Sequence, residues 1–133
     1  MIKQNKNGAK GVWAMPIAAL QDEYDEAFEF IMENAAERNC SLEASVIYEE
    51  LFVNVMRYAY GDDSGPIMVS VIVNDDNLEM VFTDSGSFFN PTEYYTSRDM
   101  SRIGGHGIEL VRAYAKSFNY ERMFGLNITR VVI

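Results

Sequence analysis

Two runs of residues, close together in the chain, constrain the fold most. Ile67–Val73 is rich in β-branched residues and reads as a strand. Leu78–Asp84 alternates, with Leu78, Met80 and Phe82 on one side and Glu79, Val81 and Thr83 on the other. Between them lies Asn74-Asp75-Asp76-Asn77, a run of turn-forming residues that predicts a hairpin loop. The chain therefore contains an antiparallel sheet with one apolar face, and that face has to be covered.

The segments on either side supply the cover. From about Leu20 to Arg38, residues Leu20, Tyr24, Ala27, Phe28, Ile31 and Ala35 recur at three- and four-residue spacings, and acidic residues crowd the first turns, where the helix dipole favours them. Asn39-Cys40-Ser41 interrupts this pattern. A second helix is predicted from Ser41, acting as N-cap, to about Tyr58 or Tyr60, where the turn formers Gly61 to Pro66 stop it. A third helix is expected over Gly107 to Ser117. Gly11 to Ile17 reads as a short strand with Pro16 at an edge or an end, and residues 1–10 read as a flexible polar tail. Two closing strands are predicted at Phe118–Phe124 and Ile128–Ile133, joined at Gly125-Leu126-Asn127. Strands and helices that do not strictly alternate indicate an α+β two-layer sandwich, with three helices over one face of a mixed, mainly antiparallel sheet. Residues 11–133 are expected to form a single domain.

Composition narrows the functional classes. The net charge of −9, from 20 acidic and 11 basic residues, disfavours nonspecific nucleic-acid binding, which needs a basic surface. With one cysteine, Cys40, and one histidine, His106, neither an intrachain disulfide nor a cysteine or two-histidine metal cluster is available. No apolar run approaches the roughly 20 residues of a membrane span and no signal peptide is visible, so a cytoplasmic location is expected.

Three places carry polar groups that an ordinary core does not explain. Glu50 and Asn54 are one helical turn apart, on a face shared with Ile47 and Leu51; burying a carboxylate and an amide there is costly unless each finds a partner. The alternative is a solvated pair at a helix edge. Asp84 ends a strand and leads into Ser85-Gly86, either an ordinary turn or a carboxylate that meets a ligand amine where a glycine lets backbone come close. Gly104-Gly105-His106-Gly107 opens directly into a helix, and such a segment presents N–H groups and a positive dipole end to phosphate; it lacks the Gly-Lys-Ser/Thr of a Walker loop. His106 reads as a donor near phosphate, or as solvent-exposed, rather than as a base. Arg98 and Arg102, on the long segment between Ser85 and Gly105, could reach a terminal phosphate if that segment closes.

Taken together and in this order, Glu50-xxx-Asn54, Asp84-x-Gly86 and Gly105-x-Gly107 resemble the asparagine box and the two glycine boxes of the GHKL, or histidine-kinase-like, ATPase superfamily. The closer resemblance is to the anti-sigma-factor serine kinases. Tyr58-Ala59-Tyr60 resembles their His-Ala-Tyr with tyrosine in place of histidine, Phe89-Asn90-Pro91 resembles the end of their first glycine box, and Tyr120-Glu121-Arg122 with Gly125-x-Asn127 resembles their last hairpin. Phe88 stands where a second glycine often sits. The resemblance implies a Mg·ATP site between helices and sheet: Asn54 on Mg²⁺, Asp84 on the adenine amine, Gly86 beside the ring, Gly105 and Gly107 around the phosphates, and Glu50 as general base for a serine hydroxyl. It also implies a STAS-type anti-sigma antagonist as phosphoacceptor, possible contact with a sigma factor, and a homodimer. The alternative reading is a non-catalytic ATP-binding module that sequesters a protein partner.

Overall fold

The computed structural model describes residues 3–5, 12–17, 21–61, 65–93 and 107–133. Six strands form one sheet: β1 (Lys3–Asn5), β2 (Val12–Ile17), β3 (Ile67–Val73), β4 (Leu78–Asp84), β5 (Ser117–Met123) and β6 (Leu126–Val132), in the spatial order β1-β2-β3-β4-β6-β5. Every described pairing is antiparallel, so the sheet is an α+β layer without a parallel neighbour. Part of the expected N-terminal tail is a strand, with Lys3 to Asn5 paired to Ala14 to Val12.

The predicted hairpin registers Ile67 with Asp84 and Val73 with Leu78. Ile67, Val69, Val71 and Val73 therefore share a face with Leu78, Met80, Phe82 and Asp84, and all eight are buried. Three helices cover that face: α1 (Gln21–Glu37) against β2 and β3, α2 (Ser41–Asn54) against β4, and α3 (Gly107–Tyr114) against β5. The centre of the layer is aromatic. Tyr48 is fully buried, stacks on Tyr24 at 4.8 Å, sits 6.3 Å from Phe82, and donates its hydroxyl to the Tyr24 carbonyl at 3.1 Å. Burial pushes the Tyr24 phenol up to about 12, and the Tyr48 phenol is raised for the same reason, so both stay neutral.

The boundary between α1 and α2 differs from the sequence reading. Asn39 adopts a left-handed φ of 55°, and the N–H groups of Asn39 and Cys40 return to the carbonyls of Ala36 and Ala35, at 3.3 and 3.0 Å. This pattern closes a helix with an asparagine in the place usually held by glycine. Ser41, expected as the N-cap, is instead the first helical residue; Cys40 caps through its carbonyl, which accepts the Ala44 N–H at 2.9 Å, with no side-chain cap.

The β5–β6 hairpin is also tighter than expected. Met123 pairs with Leu126, leaving only Phe124 and Gly125 in the turn, both with positive φ, 51° and 75°. That turn suits Asn-Gly, whereas a left-handed phenylalanine is strained by roughly 1–2 kcal/mol. Phe124 is 94% exposed and gains no burial in return. Phe124→Asn should therefore stabilise the fold by about 0.5–1 kcal/mol and raise Tm by roughly 2–4 °C in a thermal melt.

Candidate active site

The site lies where the end of α2, the start of α3 and the ends of β4 and β6 meet. On α2, Ile47 and Leu51 are fully buried and Asn54, one turn past Glu50, is 8% exposed, so the predicted apolar face exists and carries the amide inward. Asn54 is the last α-helical residue. Val55–Ala59 continues as a π-helical turn rather than as the α-helix expected to Tyr58 or Tyr60. Such wider turns occur mostly as single insertions, often at functional sites. The Asn54 amide makes no side-chain hydrogen bond with any described residue, which leaves a buried polar group needing a partner.

Glu50 is half-buried and reaches the first residue of α3: a Cβ placed on Gly107 would collide with the Glu50 carboxylate. Gly107 is thus small because a carboxylate occupies the space beside it, at the helix end whose dipole favours negative charge.

Asp84 is 3% exposed. Its Oδ1 accepts the Gly86 N–H and the Asn127 Nδ2, each at 2.9 Å, and its Oδ2 has no hydrogen-bond partner among the described residues. Burial raises the Asp84 carboxyl above its ordinary 3.8, while the bonds from Asn127 and Gly86 and the Arg122 charge pull in the opposite direction. Gly86 has a steric reason to be glycine within the protein itself. A Cβ there would stand 2.5 Å from the Ala59 carbonyl oxygen, the same oxygen that accepts the Ser87 N–H at 2.8 Å. The π-helical turn and the loop after β4 are therefore locked together, and Tyr60 adds a second lock by donating to the Pro66 carbonyl and accepting the Ser85 N–H at 3.1 Å.

Tyr58, which departs from the His-Ala-Tyr pattern, stacks on Phe89 at 5.0 Å, so its ring joins the π-helical turn to the loop that carries Gly86. Asn90 then starts a short 3₁₀ turn at Pro91–Glu93 by accepting from Thr92 N–H and Oγ1 at 2.9 and 2.6 Å, and Arg112 of α3 donates to the Thr92 carbonyl at 2.8 Å. Phe88 packs edge-on against Tyr120 at 5.7 Å and is 65% exposed.

Glu50 and Gly107 thus meet, Asp84 and Gly86 meet, and Asn54 ends the helix that leads into the turn packed on Gly86, whereas Arg98, Arg102, Gly105 and His106 lie outside the described residues. Sequence reasoning missed Asn127 as a site residue. It placed Asn127 in the closing turn, but Asn127 belongs to β6, opposite Asp84 in register, and is 2% exposed. The available signal was the inward phase of Asn127, Thr129 and Val131 on that strand.

The donors suit a nucleotide and a hard cation. An unpaired carboxylate oxygen can accept from an amine, and a buried amide oxygen is the kind of ligand Mg²⁺ takes when phosphates and waters supply the rest. Among the described residues no group of three or more His, Cys, Asp or Glu side chains could hold a metal by itself. No helix among them is long and apolar enough to cross a membrane.

The family follows from this fold and this grouping. Residues 17–133 match the model of the histidine kinase-like ATPase domain, and the chain belongs to that family. Among individual proteins it is similar to the serine-protein kinase RsbW of Listeria monocytogenes serotype 4a (strain HCC23), and to the same-named protein of serotype 4b (strain CLIP80459). Each is 30% identical over 76 residues, covering 50% of this chain and 48% of the relative. The matched stretch therefore spans about half the length of these relatives.

The raised carboxyl of Asp84 carries a pH dependence of its own. Its folded pKa lies above its unfolded one, so its share of stability is greatest in acid and is lost as pH rises through the folded value. Protonation in turn makes Oδ2 a hydroxyl, a weaker acceptor than the carboxylate oxygen. If Asp84 Oδ2 accepts from an adenine amine, affinity for adenosine nucleotides should fall as pH drops through that folded value, above 3.8, while the apo fold gains from the same proton. Calorimetric titrations across the acidic range, with a parallel series of melts, would show the two trends running in opposite directions.

Proposed function

We propose that this protein is an ATP-dependent protein-serine kinase that acts in a partner switch, transferring the γ-phosphate of ATP to a serine of a STAS-type anti-sigma antagonist. The observation that carries this reading is the pair of buried, incompletely partnered polar groups, the Asn54 amide and Asp84 Oδ2, flanking a site that also holds the Glu50 carboxylate. A domain of this kind that only filled space would have no use for them.

In this reading residues 11–133 act as one ATP-binding unit. Asp84 accepts from the adenine amine, and Gly86 keeps the loop low beside the ring. Asn54 supplies one oxygen to Mg²⁺, which neutralises charge on the phosphates. Gly105, Gly107, Arg98 and Arg102 serve to bind the phosphates. Glu50 takes the proton of the serine hydroxyl as its oxygen bonds to the γ-phosphorus and the bond to the ADP oxygen breaks. Phosphoryl transfer depends on positioning and charge neutralisation more than on covalent participation by the protein, so this short set of groups is sufficient. The similarity to RsbW, a serine-protein kinase by name, supports the class of acceptor. A sigma factor as second partner, a homodimer and a cytoplasmic setting belong to the same proposal.

Incubation with γ-labelled ATP, Mg²⁺ and a STAS-domain protein tests it. Label should appear on a serine of the STAS protein. Tight Mg·ATP binding without transfer to any such protein would move the reading to the non-catalytic, sequestering module.

A further inference from the structure

Asn127 is connected to the rest of the site at both ends of its amide. Nδ2 donates to Asp84 Oδ1 at 2.9 Å and to the Ser87 carbonyl at 2.8 Å. Oδ1 accepts the Tyr120 hydroxyl at 2.5 Å, Arg122 Nη1 at 2.9 Å and, more weakly, the Phe89 N–H at 3.4 Å. An amide side chain has two N–H donors and one oxygen with two lone pairs, so all of its capacity is used. Turning the amide over would set oxygen against the Asp84 carboxylate and the Ser87 carbonyl, and NH₂ against Arg122, which can only donate. The Asp84 and Ser87 oxygens on one side and Arg122 on the other therefore fix which end of Asn127 faces Asp84, and the Tyr120 hydroxyl donates to the oxygen so placed. Arg122 makes the arrangement stiffer, because Nη1 also donates to the Gly86 carbonyl at 3.1 Å.

The consequence appears on Asp84. With Oδ1 held by Asn127 and Gly86, the carboxylate cannot rotate without giving up both bonds, and Oδ2 is left as the one oxygen open to a ligand. A fixed lone oxygen recognises a donor at one place.

We propose that Asn127, held by Tyr120 and Arg122, is the positioning residue that presents Asp84 Oδ2 to the exocyclic amine of an adenine ring and so sets the base selectivity of the site. This rests on the nucleotide reading above and adds to it the residues that make the carboxylate selective. A purine without the amine leaves Oδ2 buried and unpaired. A purine with a carbonyl in that position sets oxygen against oxygen.

The test compares affinities for ATP and for purine riboside triphosphate, which lacks only the amine, in wild type, Tyr120→Phe and Asn127→Ala. Wild type should prefer ATP by about 10- to 150-fold, the range for one hydrogen bond to a charged group. Tyr120→Phe keeps the ring against Phe88 and removes only the hydroxyl; its preference should fall by roughly 3- to 10-fold. In Asn127→Ala the preference should fall further than in Tyr120→Phe, because Asp84 Oδ1 then keeps only the Gly86 bond. A purely structural role would weaken both nucleotides by the same factor and leave the ratio unchanged in both variants, which overturns the proposal. Should Asn127→Ala not fold, an unchanged ratio in Tyr120→Phe overturns it alone. A wild type that binds both nucleotides equally also overturns it and leaves the nucleotide reading standing, whereas a wild type that binds neither removes both.

Discussion

Glu50→Ala should leave Mg·ATP binding nearly unchanged and slow phosphoryl transfer to the STAS-type acceptor by roughly 10²- to 10⁴-fold, the usual contribution of a positioned general base. The affinity should hold because the groups assigned to the base and the cation, Asp84 and Asn54, lie on other positions and are not bonded to Glu50. Glu50 instead lies against Gly107, at the start of α3. Removing a carboxylate from the phosphate end also removes a like charge, so any change in affinity should be towards tighter binding. Glu50→Gln, which keeps the shape and loses the base, should match the alanine variant in transfer rate. Single-turnover transfer measured beside equilibrium binding separates the two quantities. Transfer at the wild-type rate in both variants would remove Glu50 from the chemistry.

The second large effect is expected at the other end of the site. In Asp84→Asn, the oxygen held by Asn127 and Gly86 keeps its place, and an NH₂ group replaces Oδ2. That group meets the adenine amine donor to donor, which is worse than a missing bond. ATP affinity should drop by at least ~100-fold, at or beyond the upper part of the range for one charge-assisted hydrogen bond. The fold should not suffer in parallel. Burial raises the Asp84 carboxyl pKa, so its ionised form costs stability at neutral pH, and the neutral amide removes that cost. An apo variant with an unchanged or higher Tm and no ATP binding fits this account. A variant that unfolds would mark Asp84 as structural instead.

Much of this site was legible because it is written in local patterns. The four-residue spacing of Glu50 and Asn54 places both on one helical face whatever the tertiary context, and Leu78–Asp84 announces its inward side by alternation. What local pattern could not supply was pairing. Asn127 was read as part of a turn because Gly125 and Asn127 are both turn residues, yet the left-handed Phe124 closes the hairpin one pair earlier and returns Asn127 to the strand beside Asp84. The same limit hid a second reason for Gly86 and Gly107. Read from sequence, each leaves room for a ligand; in the fold, one also makes room for the Ala59 carbonyl and the other for the Glu50 carboxylate. The π-helical turn after Asn54 was also invisible, since Val55 to Ala59 contains no glycine or proline to mark it.

If the buried groups at Asn54 and Asp84 form a nucleotide site, Mg·ATP should raise the melting midpoint in a thermal-shift titration. A ligand that binds only the folded chain, at about 100 times its dissociation constant, adds about 2.7 kcal/mol of stability. For a domain of this size that amounts to a rise of roughly 5–10 °C. That rise is expected in wild type, dependent on Mg²⁺ and absent from Asp84→Asn. A midpoint that does not move up to millimolar Mg·ATP would contradict such a site.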